Sequence, residues 1–134
     1  MRYLLDVNAV VAFGHTGHQH HARVAEWAAS LTRTKLPEFA TSPITELGFI
    51  RVMSQVYGVT VVEAQSLLKD MKEFEGLDFK FIEDDLDASR LPSWAVKPKQ
   101  TTDGHLLELA KAKGCVLATL DERIPGAFVI PANG

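Results

Sequence analysis

Several features that define large classes of proteins are missing from this 134-residue chain. Its one cysteine, Cys115, cannot form an internal disulfide, and the apolar run CVLATL around it predicts a buried structural thiol. No stretch of about 18 consecutive apolar residues is present, which argues against a membrane span. Only Arg2 precedes the first apolar segment, and no small-residue cleavage pattern follows it. No secretory signal is therefore predicted, and the expected location is the cytoplasm.

An excess of positive charge is also missing. Lys and Arg number 14 against 17 Asp and Glu, which gives a formal net charge of −3. Bulk electrostatics would therefore not hold nucleic acid, and any contact with it must be local. Apolar residues make up 46% of the chain, enough for one packed core, and the length is typical of one domain. We expect residues 1–134 to form a single domain.

Short apolar segments alternate with longer segments of helical periodicity. Five segments are predicted to be strands, namely RYLLD, EFATS, FKFI, CVLATL and AFVI. Two helix starts are clear: Ser42 is followed by Pro43 at the first helical position, and Thr60 and Glu63 have the spacing of a capping box. Residues 83–100 are predicted to be mainly loop. Strands separated by helices predict an α/β fold, a mostly parallel sheet with helices on both faces.

Four acidic residues fall at the edge of this sheet where ligands usually bind. Asp6 ends the first strand, Asp121 follows CVLATL, and Glu46 and Asp103 lie in the first turns of helices that begin at this edge. Each has an ordinary explanation as a helix-terminus, turn or capping residue. Together, however, four carboxylates in one crevice would repel each other unless cations bind between them. The coincidence favours a shared site for Mg²⁺ or Mn²⁺, which prefer oxygen ligands.

Four motifs resemble the successive acidic motifs of PIN-domain ribonucleases, and in particular of the VapC-like toxins of type II toxin–antitoxin pairs. These motifs are LLDVNAVVA, SPITELGFIRV, TTDGHLLELAKAKG and ATLDERIPG, and they cover nearly the whole chain. The resemblance implies a PIN-like three-layer α/β/α fold. It also implies that the acidic quartet is catalytic and metal-binding, and that Asn8 and Thr119 support the metal site. The sequence departs from the family at Gly104, where alanine is frequent, and at Ile124, where an aromatic residue is common.

The resemblance further implies an activity, which is hydrolysis of RNA phosphodiesters with one or two divalent ions that activate a water. Candidates for contacts with RNA phosphates are Arg51, Lys97 and Lys99, although a solvated charge or a salt bridge explains each equally well. The expected partners are the RNA substrate, a cognate VapB-like antitoxin with a cationic tail, and a second copy of the chain in a homodimer. The two helices after Ser42 and Thr60 offer apolar positions for the dimer interface, and some of them are expected to exceed what one small core can bury: Phe49, Val52, Val56, Leu67 and Leu68.

The segment HTGHQHH contributes four histidines, His15, His18, His20 and His21, and raises the question of a zinc site. Four histidines in one short loop, without cysteine or a distant partner, do not have an established zinc-site spacing. A polar loop near the rim of the crevice is therefore favoured. His105, in the first turn of its helix, is predicted to point outward or to act as a cap.

Two other functions remain open at this point. One is a non-catalytic RNA- or protein-binding module on a PIN-like fold, since a fold does not determine a function. Such a module would have no need for four mutually repelling acids. The other is a haloacid-dehalogenase-like phosphatase, whose mechanism needs a second acid two residues after the first. That position is Asn8, which argues against the phosphatase.

Overall fold

Five short strands form one sheet at the centre of the molecule. The computed structural model describes residues 1–33 and 37–132, and in this part of the chain the strands are β1 (Arg2–Leu5), β2 (Glu38–Thr41), β3 (Asp78–Phe81), β4 (Val116–Thr119) and β5 (Phe128–Val129). Their order is β3-β2-β1-β4-β5, and every neighbouring pair is parallel. The predicted parallel sheet is confirmed, and β1 lies at its centre.

Five α-helices are described, and the two whose starts the sequence predicts begin at the expected residues. The five helices are α1 (Val7–Gly14), α2 (His21–Thr32), α3 (Pro43–Tyr57), α4 (Val61–Lys72) and α5 (Thr101–Ala112). Ser42 caps α3, and Thr60 and Glu63 form the reciprocal capping box of α4. The predicted loop at 83–100 contains two short 3-10 turns. None of the described helices has the length and apolar character that crossing a bilayer requires.

Two apolar clusters cover the two faces of the sheet, because successive side chains of a strand point to opposite sides. Leu5 belongs to the cluster beneath α1 to α4, and Leu4 belongs to the cluster beneath α5. Trp27 packs edge-on against Tyr3 in the first cluster, with ring centroids 4.9 Å apart. This three-layer arrangement confirms the predicted fold class, and it brings the N-termini of α1, α3 and α5 to the carboxyl edge of the sheet.

The two departures from the family pattern have structural explanations. A Cβ atom on Gly104 would lie 2.9 Å from the Cβ of Ala95 and 3.1 Å from Cδ of Pro92, so glycine lets the 83–100 loop pack directly on α5. Ile124 is buried in the second apolar cluster, where its aliphatic side chain fills a core position. Cys115 is buried as predicted, and burial raises the pKa of its thiol.

The apolar residues proposed for a dimer interface separate into two groups. Phe49 and Leu68 are buried in the core of this chain and are not available to a partner. Val56 and Leu67 are 67% and 37% exposed. Val52 is partly buried against the first cluster. The periodicity of α3 and α4 did not separate these groups, because both helices carry apolar residues on more than one face.

Candidate active site

Asp6 is the buried centre of the candidate site, with 2% of its surface exposed. It follows β1 and caps α1, since its Oδ1 accepts a hydrogen bond from the backbone N–H of Ala9 at 2.9 Å. Its Oδ2 accepts from the hydroxyl of Thr119 at 2.5 Å. Because β1 and β4 are neighbours, the end of one strand fixes the carboxylate at the end of the other. Both carboxylate oxygens are therefore held in place.

Asp103 and Asp121 extend the negative charge around Asp6. The pKa of Asp6 is raised to about 6, chiefly by burial; its hydrogen bonds from Thr119 and Ala9 lower the pKa, and the charges of Asp103 and Asp121 add smaller increases. Burial and the charge of Asp121 also raise the pKa of Asp103. Three carboxylates from separate parts of the chain thus repel one another at one edge of the sheet.

Arg123 holds Asp121 on the outer side of this group. Its Nε and Nη2 donate to the two carboxylate oxygens at 3.0 and 3.1 Å, and its backbone N–H donates to Oδ1 at 2.9 Å. This pairing holds the pKa of Asp121 below its ordinary value. The backbone N–H of Asp121 donates to Thr119 Oγ1 at 2.9 Å, so Thr119 connects Asp121 with Asp6. Sequence reasoning missed Arg123, although its position two residues after an acid in LDER was a usable signal.

Glu46 lies at the same edge but has a different partner. Lys72, from the last turn of α4, places its Nζ 2.5 Å from Glu46 Oε2. The hydroxyl of Thr41 donates to the same oxygen at 2.7 Å. Glu46 is thus neutralised by a cation from its own chain, and its assignment as a metal ligand stays a prediction. Lys72 was missed because it is 26 residues away in sequence.

The donor set fits a hard divalent cation. Within residues 1–33 and 37–132, no three His, Cys, Asp or Glu side chains are already arranged as a metal-binding group. The candidate ligands are nevertheless all carboxylates, which suit Mg²⁺ and Mn²⁺, and the repulsion among Asp6, Asp103 and Asp121 is the interaction that such an ion would relieve. Arg123 and Lys72 now compensate two of these carboxylates with positive charge. The negative charge left for a cation is therefore that of Asp6 and Asp103, whose pKa values are raised by burial and by neighbouring carboxylates.

The four histidines of the loop before α2 do not converge on one point. Nδ1 of His21 lies 2.9 Å from the carbonyl oxygen of Ala12, and the ring of His15 packs on Tyr57 with centroids 4.2 Å apart. His18 and His20 instead line a cavity that also includes Asn8 and Asp121. These separate environments argue against zinc and place the loop at the rim of the candidate active site, as the sequence predicts.

The remaining predicted residues lie outside this group of acids. Arg51, Lys97 and Lys99 have exposed side chains, and their contact with RNA phosphates stays a prediction. His105 does not point outward, which corrects the expectation for it: its Nε2 lies 2.6 Å from Asp84 Oδ2, and both side chains are mostly buried. This contact ties the 83–100 loop to α5 and thereby helps to position the helix that carries Asp103.

Comparison with known proteins identifies the family. Residues 3–127 match the PIN domain family. Ribonuclease VapC38 of Mycobacterium tuberculosis is 36% identical over 124 residues, which cover 88% of this chain and 84% of the relative. Ribonuclease VapC39 of the same species is 35% identical over 129 residues, which cover 90% of this chain and 89% of the relative.

Solved structures show the same fold at low sequence identity. VapC20 of M. tuberculosis, a sarcin-ricin loop cleaving toxin, has a TM-score of 0.66 at 16% identity and covers 98% of this chain and 99% of its own. VapBC2 of Rickettsia felis, bound to promoter DNA, has a TM-score of 0.64 at 17% identity and covers 96% of both chains. The chain therefore belongs to the PIN-domain family, among the VapC ribonucleases that are the toxins of VapBC toxin–antitoxin systems.

Proposed function

We propose that this VapC ribonuclease is a Mg²⁺- or Mn²⁺-dependent endoribonuclease, and that Asp6, Asp103 and Asp121 hold the ion with Glu46 as a fourth acid. The observation that carries the proposal is the buried Asp6, whose pKa is raised to about 6 beside two further carboxylates. A protein gains nothing in stability from such a site without a cation. VapC ribonucleases are typically metal-dependent, which supports the proposal.

The residues at this edge have different roles in the proposed cleavage reaction. A bound divalent ion supplies an activated water and neutralises charge on the phosphate. Ala9 and Thr119 fix both oxygens of Asp6, so this ligand needs no reorganisation when the cation arrives. Asn8 presents an exposed amide at the rim, where it can orient water or substrate. Arg123, whose side chain is 85% exposed, can exchange its contact with Asp121 for one with an RNA phosphate.

Cleavage that requires a divalent ion is the direct test of this function. We expect labelled RNA to be cut in millimolar Mg²⁺ or Mn²⁺ and to remain intact in EDTA, because the proposed mechanism depends on the ion to activate water. A phosphomonoester incubated in parallel should remain intact under both conditions. Hydrolysis of the phosphomonoester alone would favour a phosphatase, and RNA binding without cleavage in either ion would favour a non-catalytic module.

We also propose a VapB-like antitoxin as the partner of this chain and the cytoplasm as the place where the two meet. The solved VapBC2 of Rickettsia felis supports the partner, since that structure is of a toxin with its antitoxin. The excess of carboxylates at the active edge is complementary to a cationic antitoxin segment. A segment of this kind would compete with the divalent ion and with RNA phosphates for the same acids.

The turn between α3 and α4 is the surface that we propose for a homodimer. Val56 and Val62 are 67% and 71% exposed there, and Tyr57 and Val61 add further exposed apolar area. We expect Val56→Asp to convert a dimer into a monomer, because a buried unpaired carboxylate would cost several kcal/mol at an interface. Light scattering measures the change, with Val96→Asp as the exposed apolar control. A mass of 14.8 kDa for the unaltered chain at micromolar concentration would contradict the dimer.

A further inference from the structure

A cavity of about 570 Å³ opens directly beside the candidate active site. One wall is the histidine loop and the other is the segment that follows β4. Its lining comprises Asn8, His18, Gln19, His20, Leu120 and the residues Asp121 to Arg123. Its volume lies in the range of pockets that hold small organic groups, roughly 300–1,000 Å³. Asp121 belongs both to the cavity and to the candidate active site, so the cavity adjoins the place where a substrate over the acids would lie.

The histidine loop is fixed on both sides of the three residues that line the cavity, His18, Gln19 and His20. His15 packs on Tyr57, and His21 contacts the carbonyl oxygen of Ala12. Within the loop, the backbone N–H of His18 donates to the carbonyl of His15, and that of His21 donates to the carbonyl of His18, both at 3.0 Å. Two histidines thus anchor the loop and the other two face the cavity. A prearranged pair of rings costs little entropy on binding.

His18 is prepared to act as a neutral hydrogen-bond donor. Its Nδ1 accepts the backbone N–H of His20 at 2.9 Å, which leaves the ring proton on Nε2. Burial, and then the neighbouring imidazoles, lower the pKa of His18, so its ring is uncharged at neutral pH. A neutral imidazole is suited to stacking on a base or donating to its edge, whereas phosphate binding would favour a cation.

The other residues that line the cavity supply polar and charged groups suited to a nucleotide. Asn8 and Gln19 carry amides, which both donate and accept hydrogen bonds as base edges do. Arg123 supplies an exposed guanidinium at the border with the acids, where a phosphate of the bound strand would pass. The apolar contribution of Leu120 is small beside these polar groups. This chemistry matches a single nucleotide better than the apolar face of a peptide helix.

We propose that this cavity binds the RNA nucleotide next to the scissile phosphate, with the rings of His18 and His20 contacting its base. The inference rests on the proposed ribonuclease function and adds to it a subsite for one nucleotide. It assigns a role to the histidine loop that the acidic residues alone do not explain. It also makes the loop a determinant of which RNA sequence is cut.

The test combines RNA binding with cleavage kinetics. We expect the double variant His18→Ala/His20→Ala to raise the Kd for a short fluorescent RNA in EDTA about tenfold, the loss typical of one stacked base. In cleavage assays with Mg²⁺, the double variant should show a raised KM with a smaller change in kcat. Thr16→Ala, an exposed change in the same loop outside the cavity, is the control and should match the unaltered chain.

RNA with one abasic nucleotide on either side of the mapped cleavage site identifies the occupant. The unaltered chain should bind one of these abasic RNAs about tenfold more weakly than the intact RNA. The double variant should bind the abasic and the intact RNA equally. Equal Kd values for the unaltered chain and the double variant would overturn the subsite. An equal loss of RNA affinity in Thr16→Ala would also overturn it. So would a double variant that is impaired only in binding the antitoxin. Binding in EDTA is measured independently of cleavage, so failure of the ribonuclease function would be seen separately as intact RNA in Mg²⁺.

Discussion

Asp6→Asn is expected to lower RNA cleavage at least about 100-fold, which corresponds to about 2.7 kcal/mol of transition-state stabilisation. The amide keeps the shape of the side chain and its cap on α1, but it loses the charge that attracts the ion. Turnover should fall more than RNA affinity, because the candidate phosphate contacts are unchanged. Cleavage of one RNA by both proteins at equal concentration, with circular dichroism to confirm folding, measures the effect.

Asp70→Asn is the matched control for this experiment. Asp70 is exposed on α4, and the same change from acid to amide there should leave cleavage unaltered. Equal cleavage by Asp6→Asn and the unaltered chain would show that the activity resides elsewhere, and the metal site built on Asp6 would have to be abandoned. A comparable loss in both variants would point to net charge as the cause.

Variants of the other three acids should lose cleavage to different extents in the same assay. Asp103→Asn and Glu46→Gln are expected to abolish most of the activity, and Asp121→Asn to be milder, because Asp121 follows its strand in a turn and can act through water. Lys72→Met resolves the role of Glu46. If Glu46 is a ligand, Glu46→Gln lowers cleavage and Lys72→Met does not. Equal losses in the two variants would mean that their ion pair is only structural.

In the metal-free protein, Asp6 should reduce the free energy of unfolding by about 3 kcal/mol as the pH rises from about 4 to above 6. The pKa of this carboxyl is about 6 in the folded chain against an ordinary value of 3.8, so the folded state binds the proton more tightly. That contribution is fully present below about pH 3.8 and is lost as the pH rises through 6. Denaturant titrations in EDTA between pH 4 and pH 7 measure it.

The comparison with Asp6→Asn isolates this contribution. The variant should gain stability relative to the unaltered chain as the pH rises, because an amide does not ionise. Millimolar Mg²⁺ or Mn²⁺ above pH 6 should stabilise the unaltered chain by mass action and stabilise the variant less. A difference between the two proteins that stays constant from pH 4 to pH 7 would show that Asp6 does not titrate as a buried acid.

Local sequence determined where most elements begin and where the first acids lie. Ser42 with Pro43, and Thr60 with Glu63, specify two helix starts through contacts within one turn. Alternation of apolar strands with helices specified the parallel sheet, and hence that Asp6 would lie at its carboxyl edge. These features were predictable because each depends on residues close together in sequence or on a general rule of parallel sheets.

Only the tertiary structure decided which partners these side chains have. Glu46 is neutralised by Lys72 and His105 is turned inward to Asp84, over separations of 26 and 21 residues. Helical periodicity could not show that Phe49 is buried while other apolar residues of the same helices remain exposed. The sequence predicts the histidine loop near the rim, but only packing placed His18 and His20 in one cavity with Asp121, because segments distant in sequence become neighbours only when the sheet and its helices pack.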